Sequence, residues 1–456
     1  MLRRELSFVQ ATAINMIDMV GIGPFVTTAL VAATMGSVHL AIMAWVVGLV
    51  FCLIDASVWS ELGAKFPDAG GSYRFLREAY GHSTWGRYFS FLFIWQTVFT
   101  APLVIASGAL GFASYAQFFL AGVPQSGPTL VSRVIAIGVI VILTFLLYRR
   151  ISDVGRISVA LWICVVTTMV LIIITGFVYG SPLTVMNDVM LPVGGWSLSI
   201  TDEHMWTALG VATIPTMYSY LGYYNVCHLG AEVTSPERLI PRSMYVSIAG
   251  IGALYLLMQV AVFASLPIES IKQSKFVVSD MIAAALGHNI AVVATVLILV
   301  IAMASLFSVM LGYSRVPYAA AQDGLFFNAF GKLHPSQSFP HVALLVLAGL
   351  AMFFAATLTI SDAIKSIVTM RVFTQFIAQA AGLMVLRKRI GWQAMPWRMW
   401  MYPVPALLTI VLWLWIFSSA KPLQQIMGVV APVVGTIVFV AVSYSRKTWP
   451  FTGAED

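Results

Sequence analysis

The chain has 456 residues, 60% of them hydrophobic and 9% charged, with a mean hydropathy of +0.90. A soluble domain carries about 25% charged residues, so this composition excludes water as the solvent for most of the surface. The formal net charge of +7 comes from basic residues scattered over short loops, which excludes a nucleic-acid footprint and leaves a multi-pass membrane protein.

About twelve apolar runs are long enough to cross a bilayer. They lie at 8–34, 38–62, 84–118, 131–148, 157–180, 204–229, 243–266, 286–320, 341–360, 362–386, 403–420 and 426–445. The expected class is an all-α integral membrane protein with one membrane transport domain, 1–456, and no soluble appendage. The first run is broken by Met19-Val20-Gly21-Ile22-Gly23-Pro24. Lipid cannot satisfy the backbone groups that such a break frees, so it survives only where it is buried in protein or lines a cavity. Between the second and third runs, Gly70–Gly81 mixes charge with aromatics at helical spacing and predicts a helix along the membrane interface. The third and eighth runs are long enough to tilt or to extend beyond the bilayer. The sixth is broken again, at Tyr218-Ser219-Tyr220-Leu221-Gly222-Tyr223-Tyr224-Asn225.

A matched pair of interrupted spans in two halves of a chain points to a transporter's substrate site. An odd number of spans per unit inverts the second unit relative to the first. The reading is therefore two five-helix repeats, 1–180 and 204–386, with helices 1 and 6 discontinuous. The last two spans, 403–445, are additional and peripheral, with no polar residue of interest. Basic residues set the orientation. Arg3, Arg4, Lys65, Arg74, Arg77, Arg149, Arg150, Arg242, Arg315, Arg387, Lys388, Arg389, Arg446 and others fall on the side of both termini. The other side keeps Arg133, Lys272, Lys275, Lys365 and Lys421, with Arg371 inside a span. This bias places both termini in the cytoplasm and the chain in the cytoplasmic (inner) membrane, without a cleavable signal peptide. Cys52, Cys164 and Cys227 fall in different spans, with no metal-ligand spacing. They read as small apolar core residues.

The second break continues as Glu232-Val233-Thr234-Ser235-Pro236-Glu237-Arg238-Leu239-Ile240-Pro241-Arg242. With Tyr220, Gly222 and Asn225 this resembles the sixth-helix signature of the amino acid–polyamine–organocation (APC) superfamily. Gly21, Gly23 and Phe25 resemble that family's first-helix "G-S-G-I-F". Two further stretches are similar to its other motifs: Trp59-Ser60-Glu61-Leu62 with Pro67–Tyr73, and Ser314-Arg315-Val316-Pro317-Tyr318 with Ala321–Gly324 and Leu333-His334-Pro335. The resemblance implies a LeuT-type five-plus-five fold and transport of amino acids or amines. Departures are informative. Pro24 stands where the family usually has Ile, Tyr223 where it has Trp, and Ala231 precedes a single acid, Glu232. The helix-five lysine that stands in for sodium in many relatives is absent from Leu161–Met169, so the coupling ion sits elsewhere or the protein is an uncoupled exchanger.

The half-helix after Gly21-Ile22-Gly23 offers free N–H groups and the positive end of a helix dipole, a natural carboxylate site. Pro24 fits the first turn but supplies no donor, so Ile22, Gly23 and Phe25 carry the amides. Carbonyls freed near Met19, Tyr218, Ser219 and Leu221 would accept from an ammonium. The expected substrate-binding set is Met19, Gly21, Ile22, Gly23, Phe25, Tyr218, Ser219, Leu221 and Gly222. Ser219 and Ser107 leave room for a substrate side chain.

Ionised groups inside spans are costly and usually functional. Asp18, Asp55, Ser305 and Ser308 are the coupling candidates, for H+ or Na+. A structural pair of Asp55 with Arg371 is the bland alternative. Asp18 alternatively supports the helix break, and the serines alternatively bond their own backbone. Glu61 reads as structural or gate-related. The histidines His39, His82, His204, His228, His288, His334 and His341 form no cluster, and His228 is a weak proton-relay candidate. No catalytic constellation, nucleotide loop or metal pattern appears, so the expectation is a permease and not an enzyme, without a cofactor or an obligate protein partner. It would take a small-molecule amino acid through the lipid bilayer by alternating access. A polyamine or organic-cation carrier, favoured by Asp18 and Asp55, and an exchanger are the alternatives within transport. A transporter-like receptor or assembly subunit is the alternative outside it, and it would predict a regulatory tail that is not seen.

Overall fold

The computed structural model describes residues 4–119, 130–149, 151–191, 203–357, 367–445, 447 and 449–451. Arg3, Arg150, Lys365, Arg446, the opening of the tenth expected span at 362–366 and the side chain of His204 lie outside the described residues. In chain order the helices are α1 Phe8–Met19, α2 Gly23–Met35, α3 Val38–Lys65, α4 Ser72–Tyr80, α5 Trp85–Ala116, α6 Leu130–Leu147, α7 Ile151–Tyr179, α8 Pro182–Met190, α9 Glu203–Tyr220 and α10 Asn225–His228. They continue as α11 Pro236–Ser265, α12 Ile268–Gln273, α13 Val277–Leu286, α14 His288–Tyr313, α15 Arg315–Gln322, α16 His341–Thr357, α17 Ile367–Ile390, α18 Val404–Ser419 and α19 Pro422–Ser445.

Local chemistry explains several boundaries. Ser7 and Gln10 form a reciprocal capping box that starts α1. Gly36, left-handed at φ 74°, closes α2. The expected interfacial helix is α4, whose Tyr73, Phe75, Leu76 and Ala79 are buried.

Among the described residues, eight helices are long and apolar enough to cross a membrane. The α1–α2 pair, bent by 43° at its break, makes a ninth. The expected count of about twelve is not reached by this measure, for a physical reason. The second interrupted span divides into α9 and a four-residue α10, and α16 and α18 are apolar but only 17 and 16 residues long. The two breaks are buried as the membrane argument requires: α1 packs among α7, α10, α11 and α14, and α2 packs against α9.

Both ends of the described chain lie at one end of the bundle. Leu6 pairs with Val233 and Ala69 with Leu229, Trp449 packs on Trp85, and Arg389 donates to Glu78 O at 2.5 Å. Ion pairs close this end. Arg387 grips Glu61 at 2.5 and 2.7 Å, and Met399 N adds a bond at 2.9 Å. Arg315 holds Glu232 at 2.8 and 3.2 Å, and Arg74 and Arg77 both reach Asp323. The expectation that the last two spans carry nothing polar of interest is corrected here. Trp413 of α18 is fully buried and donates to Asp55 at 3.1 Å, and Thr436 of α19 lies 2.8 Å from the Tyr88 hydroxyl.

Candidate functional site

The first break is short. Val20 N still reaches Met16 O at 3.0 Å, and Gly21 N turns back to Met19 O at 3.1 Å. α2 then begins at Gly23, with no side chain capping its first turn. The amides of Ile22, Gly23 and Phe25 find no protein acceptor among the described residues, as the open first turn of a helix leaves them. The second break is the turn Leu221–Tyr224. Gly222 has φ +122°, and a Cβ there would come within 2.9 Å of Asp18 Cγ and Met19 N. Only glycine satisfies both demands.

The two breaks therefore face each other. A Cβ on Gly23 would sit 3.3 Å from Ser219 Oγ and 3.5 Å from Tyr218 Cε1. Thr27 and Ser219 hydroxyls lie 2.8 Å apart. Asn15 Oδ1 accepts from Val226 N at 2.9 Å, and Asn225 donates to Ser308 O and Oγ, both at 2.8 Å. The Tyr255 hydroxyl lies 2.7 Å from Met19 O and 3.3 Å from Ser219 O. A hydroxyl has one proton, so it ties one broken helix at a time, and the shorter bond is to Met19. Tyr255→Phe is expected to cost about 1 kcal/mol, read as a small drop in melting temperature with the fold intact. No change in melting temperature would mean the tie carries no stability.

A cavity of about 70 Å³ lies between the breaks. Of the expected binding residues, Met19, Gly21, Ile22, Gly23, Tyr218, Ser219, Leu221 and Gly222 line it. Phe25 does not: it is fully buried one step along α2, and Tyr115 Oη lies 3.4 Å from its carbonyl. Ser107 is also outside the lining, bonded to Val104 O at 2.9 Å. Apolar wall residues that the sequence reading passed over are Val104, Leu306, Val309 and Ile367. Their apolar character is indistinguishable from core or lipid-facing positions without the fold.

Of the coupling candidates, Asp18 and Ser305 line the cavity, and Ser308 and Asp55 do not. Ser305 Oγ donates to Asp18 O at 3.1 Å and Ser308 Oγ to Ile14 O at 2.7 Å. Both hydroxyls thus bond α1 carbonyls directly. Asp55 does not pair with Arg371, which corrects that alternative. Its carboxylate accepts from Trp59 Nε1 at 3.0 Å, from Trp413 Nε1 at 3.1 Å and from the Tyr223 hydroxyl. Arg371 instead lines the cavity with Asp18. His228 is buried between Trp59, Tyr224 and Tyr313. His334 and His341 do come together, their rings 5.7 Å apart. Among the described residues no group of three or more metal-ligating side chains forms.

A cavity between two interrupted spans, lined by Asp18 and Arg371 deep in a bundle of apolar helices, defines a membrane transporter. The model of the amino acid permease family matches residues 6–442, and the chain belongs to that family. It is 25% identical to the methylthioribose transporter of Bacillus subtilis (strain 168), over 98% of this chain and 94% of that one. It is 24% identical to the serine/threonine exchanger SteT of the same organism, over 90% of this chain and 89% of that one. It is also 24% identical to the cystine/glutamate transporter of Homo sapiens, over 90% of this chain and 78% of that one.

Proposed function

We propose that the cavity binds the α-carboxylate and α-ammonium groups of an amino acid, and that the chain carries it by alternating access around the two interrupted spans. The observation that carries this reading is the uncapped start of α2, whose Ile22, Gly23 and Phe25 amides have no protein acceptor. The Ile22 and Gly23 donors at the cavity wall, together with the helix dipole, favour a carboxylate. Opposite, Met19 O is already taken by Tyr255 and Gly21. The ammonium falls to the Asp18 carboxylate, with the Ser219 and Leu221 carbonyls beside it. The segments 1–180 and 204–386 act as inverted repeats, and the end that carries both termini faces the cytoplasm. A thermal-shift screen of the purified protein against amino acids and polyamines, with and without sodium at two pH values, tests the reading. Stabilisation by polyamines alone would overturn it.

The coupling ion in this reading is a proton on Asp18. The helix-five lysine is absent, and the α14 hydroxyls that would ligate sodium are bonded to the α1 carbonyls that would join them. In proteoliposomes, Asp18→Asn is expected to lose accumulation driven by a pH gradient and to weaken counterflow exchange without abolishing it, since the Ser219 and Leu221 carbonyls still hold the ammonium. The paired Ser305→Ala and Ser308→Ala changes are expected to leave the ion dependence unchanged. Sodium-dependent accumulation that this pair abolishes would transfer the coupling site to α14. A parent protein that neither gradient drives would be an exchanger, with Asp18 a substrate or structural residue.

A further inference from the structure

We infer that Arg371 is the side-chain recognition group of the cavity, and that the preferred substrate is an amino acid whose side chain ends in an anion. The inference rests on the amino acid reading above. Arg371 is 2% exposed and lines the cavity. Nη1 contacts the Tyr224 hydroxyl at 3.2 Å, and the guanidinium carbon lies 5.2 Å from the Tyr313 ring centre. Among the described residues, Nε and Nη2 have no hydrogen-bond partner. A guanidinium offers its donors as a planar fork suited to a carboxylate, and orphaned buried donors of this kind call for an explanation. The residue also sits at the start of a π-helical stretch, Val372–Ile377, an irregularity frequent at functional sites.

Charge accounting gives the substrate class. Asp18 and Arg371 share the cavity but, among the described residues, form no ion pair within 4.0 Å. A bound zwitterion with its carboxylate on the α2 amides and its ammonium on Asp18 occupies the one acid among the described residues of the cavity. Arg371 then shares Asp18 with the ammonium and is flanked by the Tyr224 and Tyr313 rings. A second anionic group on the ligand supplies Arg371 a charge partner of its own and both missing acceptors. A polycation brings its charge against the guanidinium instead, and like charges in a desolvated site repel strongly. The Arg371 position therefore opposes the polyamine alternative that Asp18 and Asp55 favoured in the sequence.

The test compares near-isosteric pairs, glutamate with glutamine and aspartate with asparagine, by binding to the purified full-length protein. Wild type is expected to bind the acid more tightly by on the order of tenfold or more, since a buried charge partner is at stake. Arg371→Gln is expected to abolish that preference while still binding glutamine, and Arg371→Lys to restore part of it. Equal or tighter wild-type binding of the amides overturns the inference and leaves the amino acid reading standing. Loss of all amino acid binding in a folded Arg371→Gln protein also overturns it, by placing the α-carboxylate on Arg371. Absence of binding by every amino acid to wild type overturns both.

Discussion

Gly23→Leu is expected to abolish uptake while the protein still inserts and folds. Gly23 opens α2 at the amides proposed to hold the substrate carboxylate, and its Cα faces the other interrupted span. A Cβ alone would lie 3.3 Å from Ser219 Oγ and 3.4 Å from Ser219 Cα, close enough to demand a shift. A leucine carries further carbon atoms into the same gap, so it must either wedge the two breaks apart or fill the cavity. Either outcome bars the ligand from the Ile22 and Gly23 amides. Gly23→Ala is expected to give a partial loss, because one methyl needs only a few tenths of an ångström of adjustment. Uptake of radiolabelled amino acid, normalised to folded protein in the membrane, provides the measurement. Wild-type rates in the leucine variant would show that ligands do not use this break.

Asp55→Leu is expected to be the most destabilising single change among the intramembrane acids. The Asp55 carboxylate is 1% exposed and accepts from Trp59, Trp413 and Tyr223. Replacing it leaves three buried donors without an acceptor, each costing about 1–3 kcal/mol. The sum, several kcal/mol, is a large part of the roughly 5–15 kcal/mol that holds a typical domain folded. The loss also cuts the connection between α3, the second break and α18, where Trp413 stacks on Phe376 with ring centres 3.8 Å apart. Asp55→Asn keeps one acceptor oxygen and should fall between the parent and the leucine variant. Thermal unfolding in detergent measures the order. A leucine variant with unchanged stability but without gradient-driven uptake would return Asp55 to the coupling machinery.

Much of this architecture is legible in the chain. The helix interruptions follow from Gly21, Gly23 and Gly222, because glycine inside a hydrophobic span frees backbone groups that only protein or a cavity can satisfy. The observed breaks, between Met19 and Gly23 and between Tyr220 and Asn225, fall where that argument puts them. The eight cavity residues drawn from the breaks follow from the same local cause. Asp18 and Arg371 were also visible as charges inside spans, since a hydropathy pattern exposes any ionised group at membrane depth.

What the chain could not decide was pairing across helices. Asp55 and Arg371 are both intramembrane charges of opposite sign, and sequence gives no vector for either. The fold turns Asp55 toward two tryptophans and a tyrosine, and Arg371 toward the cavity. Ser305 and Ser308 share a helix face by spacing alone, yet only the packing of α14 on α1 shows their hydroxyls bonded to the Asp18 and Ile14 carbonyls. Trp413 belongs to a span read as peripheral, and only the packing of α18 against α3 makes it a donor to Asp55. Hydrophobicity and backbone satisfaction are properties of a segment, so the sequence determined the class, the spans and the breaks. Hydrogen-bond partners belong to surfaces brought together from distant segments, so only the tertiary structure decided which charges line the cavity and which hold the bundle.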